Sequence, residues 1–238
     1  MKAESIEKQN LLINGDFQCN QRDQSSYTCD GTKRIYGVDM WSFSKADTFM
    51  RIVENGIEIN APISQMFNKL KSGMKYTIVC SVDNVVLTKS IVGGIYDTDT
   101  SQTIVYLTFN DVERIVITPN GTQTINYVDL SEGEIRHKHQ KEDYAIALTR
   151  CQRYVWKNCD MTMSEIIQPS YLEGLTFPIE MVKNPSVKII RFENTTGIDK
   201  SNELSSIISD RKGIRYIALT NPTSSVYQYT FIFSCEPL

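Results

Sequence analysis

Apolar and polar residues alternate over short stretches along most of the chain, and turn residues separate these stretches. In one stretch, four residues occupy every second position and so share one face: Tyr76, Ile78, Cys80 and Val82. This alternation predicts a half-buried β-strand. Similar stretches follow at residues 85–91, 103–109, 114–118 and 122–130. Short strands at this spacing predict an antiparallel β-sandwich, with a brief helix or turn expected at residues 63–71.

One segment follows the period of an amphipathic helix instead. Its apolar residues recur so that they lie on one helical face: Tyr144, Ala147, Leu148, Cys151, Tyr154 and Val155. The period predicts a helix over residues 141–157. Such a face needs a surface to cover it, which is either the preceding domain, the following domain or a second copy of the chain.

Strand-like patterns return after the helix, at residues 186–194, 213–221 and 226–234, with one helical turn expected at 204–208. The predicted organisation has four parts: a flexible lead-in over residues 1–9, a β-sandwich domain over 10–137, a connecting helix over 138–157 and a smaller β-rich head domain over 158–238. The predicted fold class is therefore mainly β.

Composition narrows the choice of partners. A net charge of −3 and a pI near 5.5 argue against a nucleic-acid partner, because phosphate binding needs a clustered basic surface. We expect no membrane insertion, since no apolar run is long enough to cross a bilayer. The N-terminal residues lack the apolar region of a secretory signal. The six cysteines form no Cys-x-x-Cys pair, and we expect them to act as reduced core thiols.

Catalytic chemistry is poorly supported by the sequence. The chain has two histidines, His137 and His139, and no nucleophile elbow, phosphate loop or zinc-protease helix. Glu132 and Glu134 are the nearest pair of carboxylates, and they lie in a turn-like segment where solvation is the ordinary state. We therefore expect no catalytic residues and no enzymatic activity.

Three motifs follow one another in the opening segment: Asn10-Leu-Leu-Ile-Asn-Gly-Asp-Phe17, Asn20-Gln-Arg22 and Tyr36-Gly-Val-Asp-Met-Trp41. They resemble the opening of many bacteriophage and prophage tail-fibre-type proteins. The usual forms there are Asn-Leu-Leu-x-Asn-(Gly/Ser)-Asp-Phe, Asn-Gln-Arg and Tyr-x-x-Asp-Arg-Trp. The segment Ala147-Leu-Thr-Arg-Cys-Gln-Arg-Tyr-Val155 resembles a helix of the same proteins.

Two further segments resemble strands of carbohydrate-binding jelly rolls: Leu70-Lys-Ser-Gly-Met-Lys-Tyr-Thr77 and Val128-Asp-Leu-Ser-Glu-Gly133. Asp129 stands where the family has lysine. The resemblance implies a jelly-roll domain like a carbohydrate-binding module, a connecting helix, a head domain and a homotrimer in a virion tail. The chain would then be made in the bacterial cytoplasm.

The resemblance also implies partners and a function. The expected partners are two further copies of the chain, other phage tail or baseplate proteins and a bacterial cell-surface glycan. The expected function is that of a non-catalytic receptor-binding protein. Two alternatives are a structural tail or baseplate adaptor without a ligand and a carbohydrate-binding module of a cellular protein. On the helix, we expect Tyr144, Leu148, Cys151 and Tyr154 to form the oligomer interface.

Glycan sites pair aromatic rings, which stack on the apolar face of a sugar, with polar groups that bind hydroxyls. Six residues are the candidates for this role: Tyr27, Tyr96, Asp97, Asp99, Tyr106 and Trp156. Tyr96, Asp97 and Asp99 lie in a polar loop, which favours exposure.

No cofactor is required by this interpretation, but two metal sites are predicted. His137 and His139 point the same way on extended backbone, so three chains meeting at an axis could surround one transition-metal ion, as in phage fibres with His-x-His sites. The alternative is a polar hinge with two exposed histidines. Asp16 matches a position near a structural calcium ion in related jelly rolls. Gln18 replaces the glutamate often found there, which weakens a site for a hard cation.

Overall fold

The computed structural model describes residues 10–109, 112–134, 138–157, 161–164, 175–176, 180–181, 185–194, 196–219 and 226–234. The chain divides into two compact units, the first ending at Ala147 and the second beginning at Leu148. The first domain predicted from the sequence ends ten residues earlier, at residue 137. Residues 139 and 142 form hydrogen bonds to Asp16, Gln18 and Asp129, and these bonds fasten the start of the connecting segment to the first unit.

The strands described in the first unit are β1 (Ser26–Cys29), β2 (Ile35–Tyr36), β3 (Ser42–Phe43), β4 (Thr48–Val53), β5 (Gly56–Ile59), β6 (Ile63–Phe67), β7 (Lys75–Val82), β8 (Val85–Val92), β9 (Ile104–Phe109), β10 (Val112–Ile117) and β11 (Gln123–Glu132). They form a six-stranded sheet in the order β1-β4-β5-β11-β7-β8 and a five-stranded sheet in the order β2-β3-β6-β10-β9. All the pairings are antiparallel. The crossovers between the sheets give a jelly-roll type of β-sandwich, which confirms the predicted fold class.

The alternating pattern puts one face of each sheet into a shared core. The four residues predicted to share a face of β7 are all buried in it: Tyr76, Ile78, Cys80 and Val82. At the end of this strand Asp83 and Asn84 both have positive φ, as a two-residue hairpin turn requires. Residues 63–71 contain strand β6 rather than the expected helix or turn, because Ile63 and its neighbours pair with β10.

The helix α1 (Tyr144–Gln152) is shorter than the predicted helix over residues 141–157. Its start is fixed by Asp143, whose Oδ1 accepts hydrogen bonds from the backbone N–H of Ala145 at 2.9 Å and of Ile146 at 3.3 Å. Beyond the helix, Val155–Lys157 form strand β12. The prediction was wrong there because Val155 and Trp156 pair with the last strand of the chain, and this pairing outweighs the helical period.

The described strands of the second unit continue the numbering: β13 (Met161–Ser164), β14 (Leu175–Thr176), β15 (Ser186–Asn194), β16 (Leu204–Asp210), β17 (Gly213–Leu219) and β18 (Val226–Ser234). Strand β18 pairs with β12, β13 and β15, and β17 pairs with β14 and β16. The helical turn expected at residues 204–208 is wrong, since these residues lie in β16. A single 3-10 turn precedes them at Ser201–Glu203.

The motifs of the opening segment form a buried polar network. Asn14 has a φ of 56°, and its side chain forms hydrogen bonds with the backbone of Cys19 and Asp39. The backbone carbonyl of Asn14 accepts the indole N–H of Trp41 at 2.9 Å. The Asp39 carboxylate is itself fully buried and is bound by Arg22 at 3.1 Å. These motif residues therefore hold one region of the sandwich together through hydrogen bonds in its interior.

Candidate functional site

A groove of about 260 Å³ lies where the loop after β8 turns back along this strand, which is at an edge of the six-stranded sheet. It is lined by strand residues 90–92, by loop residues 95–97, and by the side chains of Lys75 and Glu134. This cavity is called the β8-edge groove below. Its size is slightly below that of pockets for drug-sized ligands.

Two glycines make the turn that forms the groove. A Cβ atom at Gly93 would lie 2.3 Å from the carbonyl oxygen of Lys71, so no larger residue fits there. Gly94 has a φ of +80°, and Ile95 then donates its N–H to the carbonyl of Val92 at 3.0 Å. The turn leaves the Ile95 side chain 67% exposed at the groove.

Asp97 is fixed by Lys89, a lysine that points inward from the edge strand. The Lys89 Nζ donates to Asp97 Oδ2 at 2.6 Å, to Gln102 Oε1 at 2.8 Å and to the carbonyl of Ile104 at 2.9 Å. The same Asp97 oxygen accepts the Tyr106 N–H at 2.6 Å, and the Asp97 N–H donates to the Tyr106 carbonyl. These bonds hold the loop residue Asp97 against β9.

Tyr96 is half-buried, and its two ends have different surroundings. Its hydroxyl donates to the buried Glu113 Oε1 at 3.3 Å. Its ring packs against the Tyr106 ring, with 5.2 Å between centroids and a tilt of 47°. Tyr96 therefore borders the groove while its hydroxyl is held inside the sandwich.

Lys75 and Glu134 form an ion pair at the groove, with 2.5 Å between Nζ and Oε1. Their side chains are 59% and 63% exposed, so the pair stabilises the fold little. Both charges remain accessible to a ligand. Together with Ser90, they supply the groove with a cation, an anion and a hydroxyl.

The predicted glycan residues fall into separate places. Tyr96 and Asp97 both line the β8-edge groove. Tyr106 is completely buried and Tyr27 is 5% exposed, so neither ring can stack on a sugar in this structure, and these two predictions are corrected. Burial raises the pKa of Tyr27 to about 12.

Asp99 is exposed beyond the groove, in a turn where its Oδ1 accepts the N–H and hydroxyl of Ser101. These bonds hold the pKa of Asp99 below its ordinary value. Trp156 lies in β12, but its side chain lies outside the described residues.

His139 and Asp16 lie together in a second cluster. The His139 Nε2 lies 2.9 Å from Asp16 Oδ1, and its Nδ1 lies 2.8 Å from Asp129 Oδ2. The other Asp16 oxygen accepts the Glu142 N–H at 2.9 Å, and the other Asp129 oxygen accepts the Asn10 side-chain N–H at 2.9 Å. All four carboxylate oxygens thus have protein donors.

In this structure the described residues of the two predicted metal sites bind each other and other protein groups. The carboxylates of Asp16 and Asp129 converge on an imidazole rather than on a common point, and both His139 nitrogens are occupied. Gln18 donates its side-chain N–H to the Glu142 carbonyl at 2.9 Å, which a glutamate could not do. Among the described residues, no group of three His, Cys, Asp or Glu side chains could hold a metal ion. His137 lies outside the described residues, so a metal on a trimer axis stays a prediction.

The helical residues predicted to form an oligomer interface differ in exposure. Tyr144 is 55% exposed and Cys151 is completely buried within the chain, so the Cys151 thiol is not available to a second copy. Leu148 and Tyr154 are partly buried. Cys19, Cys29 and Cys80 are buried free thiols like Cys151.

Several residues that line the groove, or that bind its lining residues, were not predicted from the sequence, although two of the latter carry a signal. Lys89 stands at an inward position between Leu87 and Ile91, and Glu113 stands at an inward position before Ile115. A charged residue at such a position marks a sheet edge or a buried polar site. Lys75, Ser90 and Glu134 carry no such signal, because they come together only through tertiary pairing.

No protein family model, curated protein or solved structure matches this chain. In the part of the chain that the structure describes, no helix has the length and apolar character needed to span a membrane.

Proposed function

We propose that the chain is a non-catalytic tail-fibre-type receptor-binding protein of a phage or prophage, which binds a host cell-surface glycan in the β8-edge groove. One observation carries this proposal: Tyr96 and Asp97, both glycan candidates by sequence, line the same groove with the exposed Ile95. An aromatic ring, an apolar neighbour and several polar groups are the combination that sugar recognition needs. The ordered motifs of the opening segment support the assignment to tail proteins.

The proposal includes a homotrimer in the virion tail that contacts other tail or baseplate proteins. Light scattering on the purified 27.2-kDa chain tests this part. A mass of three chains is expected, and a monomer would contradict the trimer. The metal content of the same preparation, made without chelators, tests the His137 and His139 site. We expect about one transition-metal ion per three chains if that site exists.

A glycan array tests the binding function. The array should carry bacterial surface polysaccharides and should be probed with three proteins: the wild type, Ile95→Asp and Val85→Asp. Ile95 and Val85 are both exposed, by 67% and 60%, but Val85 lies at the other end of β8, away from the groove. Selective binding by the wild type and by Val85→Asp, with loss in Ile95→Asp, is expected.

A structural adaptor is the second candidate. The burial of Tyr27 and Tyr106 favours it, because two of the predicted aromatic platforms are unavailable. Silence of the correctly assembled wild type across a broad array would support the adaptor. Equal binding by both aspartate variants would instead move the glycan site away from the β8-edge groove.

A further inference from the structure

Glu113 is a buried carboxylate beside Tyr96 that no step of the proposed function uses. It lies on β10 at an inward position and is 1% exposed. Its Oε2 accepts the Leu70 N–H at 2.8 Å, and its Oε1 accepts the Tyr96 hydroxyl at 3.3 Å. This carboxylate thus binds one loop backbone N–H and one tyrosine hydroxyl.

Hydrogen bonds, and not an ion pair, offset the cost of burying the Glu113 carboxylate. No lysine or arginine of the described part of the chain forms an ion pair with it. Burying a carboxyl group is costly unless hydrogen bonds compensate for the lost water. The compensation here comes from the Leu70 N–H and from the Tyr96 hydroxyl. The Tyr96 hydroxyl is consequently held in the interior of the sandwich.

The hydrogen bond to Glu113 fixes the orientation of the Tyr96 side chain at the groove. The ring cannot turn its hydroxyl outward without leaving the buried Glu113 short of a donor. The Tyr106 ring, 5.2 Å away, supports the Tyr96 ring from inside the sandwich. The Gly94 N–H donates to the Tyr106 hydroxyl at 3.3 Å, which ties the turn before Tyr96 to the residue that supports its ring.

We propose that Glu113 is a positioning residue that holds the Tyr96 hydroxyl inside the sandwich, so that the ring surface of Tyr96, and not its hydroxyl, faces a ligand in the β8-edge groove. Where this inference names a ligand, it rests on the proposed function. The ligand is then a pyranose ring that packs its C–H bonds on Tyr96, while its hydroxyls meet Ser90, Lys75 and Glu134. Recognition by the tyrosine hydroxyl is the arrangement that this geometry opposes.

Saturation-transfer NMR with the methyl glycosides of glucose, galactose and mannose tests the ligand part. Saturation of the aromatic protons should reach the C–H protons of one face of a bound pyranoside. Tyr96→Phe should bind within about twofold of the wild type, and Tyr96→Ala should bind about tenfold more weakly. A loss in Tyr96→Phe as large as in Tyr96→Ala would overturn the inference while leaving glycan binding intact.

The positioning part has a readout that needs no ligand. A soluble paramagnetic agent broadens the ring signals of exposed tyrosines. In Glu113→Leu the Tyr96 signals should broaden more than in the wild type, whereas Glu113→Gln, which keeps a hydrogen-bonding side chain, should restore the wild-type pattern. Unchanged Tyr96 signals in a folded Glu113→Leu protein would overturn the positioning role. Absence of saturation transfer to all three glycosides, with the expected Tyr96 broadening, would contradict the proposed glycan function alone.

Discussion

The imidazole ring of His139 lies flat against the phenol ring of Tyr127, with 3.7 Å between the ring centroids and 5° between their planes. Asp16 and Asp129 bind its two nitrogens. Because an ionised carboxylate only accepts hydrogen bonds, both nitrogens carry hydrogen and the ring is an imidazolium. Burial alone would lower the pKa of His139, but the hydrogen bonds and charges of the two carboxylates outweigh it and raise this pKa to about 9.

The pKa of His139 makes the stability of the first unit depend on pH. The folded protein holds this proton more tightly than the unfolded chain, whose histidine pKa is 6.5. The stabilisation is therefore complete below pH 6.5 and disappears as the pH rises through 9. We expect the free energy of unfolding to fall by about 2 kcal/mol from this group, after allowance for solvent screening. Urea unfolding at a series of pH values measures this fall in the free energy of unfolding.

His139→Gln is the control for that series. It keeps a hydrogen-bonding side chain but cannot take up a proton, so the fall that begins above pH 6.5 should be absent. Burial raises the pKa of Cys80 and of Tyr27 to about 12, so both proteins should still lose stability at the highest pH. Parallel curves for wild type and variant between pH 6.5 and 9 would contradict the imidazolium.

The ion pair between Arg22 and the buried Asp39 should be costly to break. Burial raises the pKa of Asp39, and Arg22 and Gln21 oppose this rise. Asp39→Ala removes the carboxylate that these residues bind and should lower the free energy of unfolding by about 3 kcal/mol. A double-mutant cycle with Arg22→Ala should give a coupling energy of about 1–3 kcal/mol.

The matched pair for this cycle is Arg51 and Glu58, which are 55% and 22% exposed. Their coupling should stay below about 1 kcal/mol, because water screens exposed charges. Equal coupling in the two pairs would show that burial does not strengthen the Arg22–Asp39 bond.

Lys89→Met should loosen the loop that carries Asp97. The substitution keeps the apolar stem but removes the cation, so Asp97 loses its partner at 2.6 Å. We expect a loss of about 1–2 kcal/mol and faster hydrogen exchange at the Tyr106 amide, which donates to Asp97. Lys75→Met removes the exposed groove pair and should cost less than about 0.5 kcal/mol. Similar losses in both variants would rule out the anchoring role of Lys89.

Gly56→Ala should destabilise the first unit because β5 and β11 approach each other closely there. Gly56 has a φ of +138°, and a Cβ atom would lie 2.1 Å from the Ile125 carbonyl oxygen. A loss of about 2–4 kcal/mol is expected in thermal or urea unfolding. Gly73→Ala is the control, since φ is +76° there but no atom lies within 4 Å of the added Cβ. Its cost should be about 1 kcal/mol, from conformation alone. If Gly56→Ala lowers the free energy of unfolding no more than Gly73→Ala does, strands β5 and β11 can move apart to admit the Cβ atom.

The sequence predicts those features that depend on local periodicity. The face shared by Tyr76 and Ile78 is correct because alternation alone decides which side of a strand is buried. The end of the helix is wrong, since pairing of Val155 with β18 is a tertiary effect with no local signal. The ion cluster around His139 was also out of reach, because its partners Asp16 and Asp129 are distant in sequence. Tyr96 and Asp97 were identified from the composition of their loop. The burial of Tyr106 was not predicted, because the sequence of its strand does not show which of its faces is covered.

Strand β11 lies between β5 and β7 in the six-stranded sheet. The connecting segment then contacts the start of the unit, where the Glu142 N–H donates to Asp16, 126 positions earlier in the sequence. A nascent chain leaves the ribosome at about 5–20 residues per second, so β5 and β7 wait on the order of seconds for their common neighbour. During that interval, the apolar faces of the two early hairpins, β4–β5 and β7–β8, have no central strand to join them. The first unit can complete its fold only after the connecting segment has emerged from the ribosome.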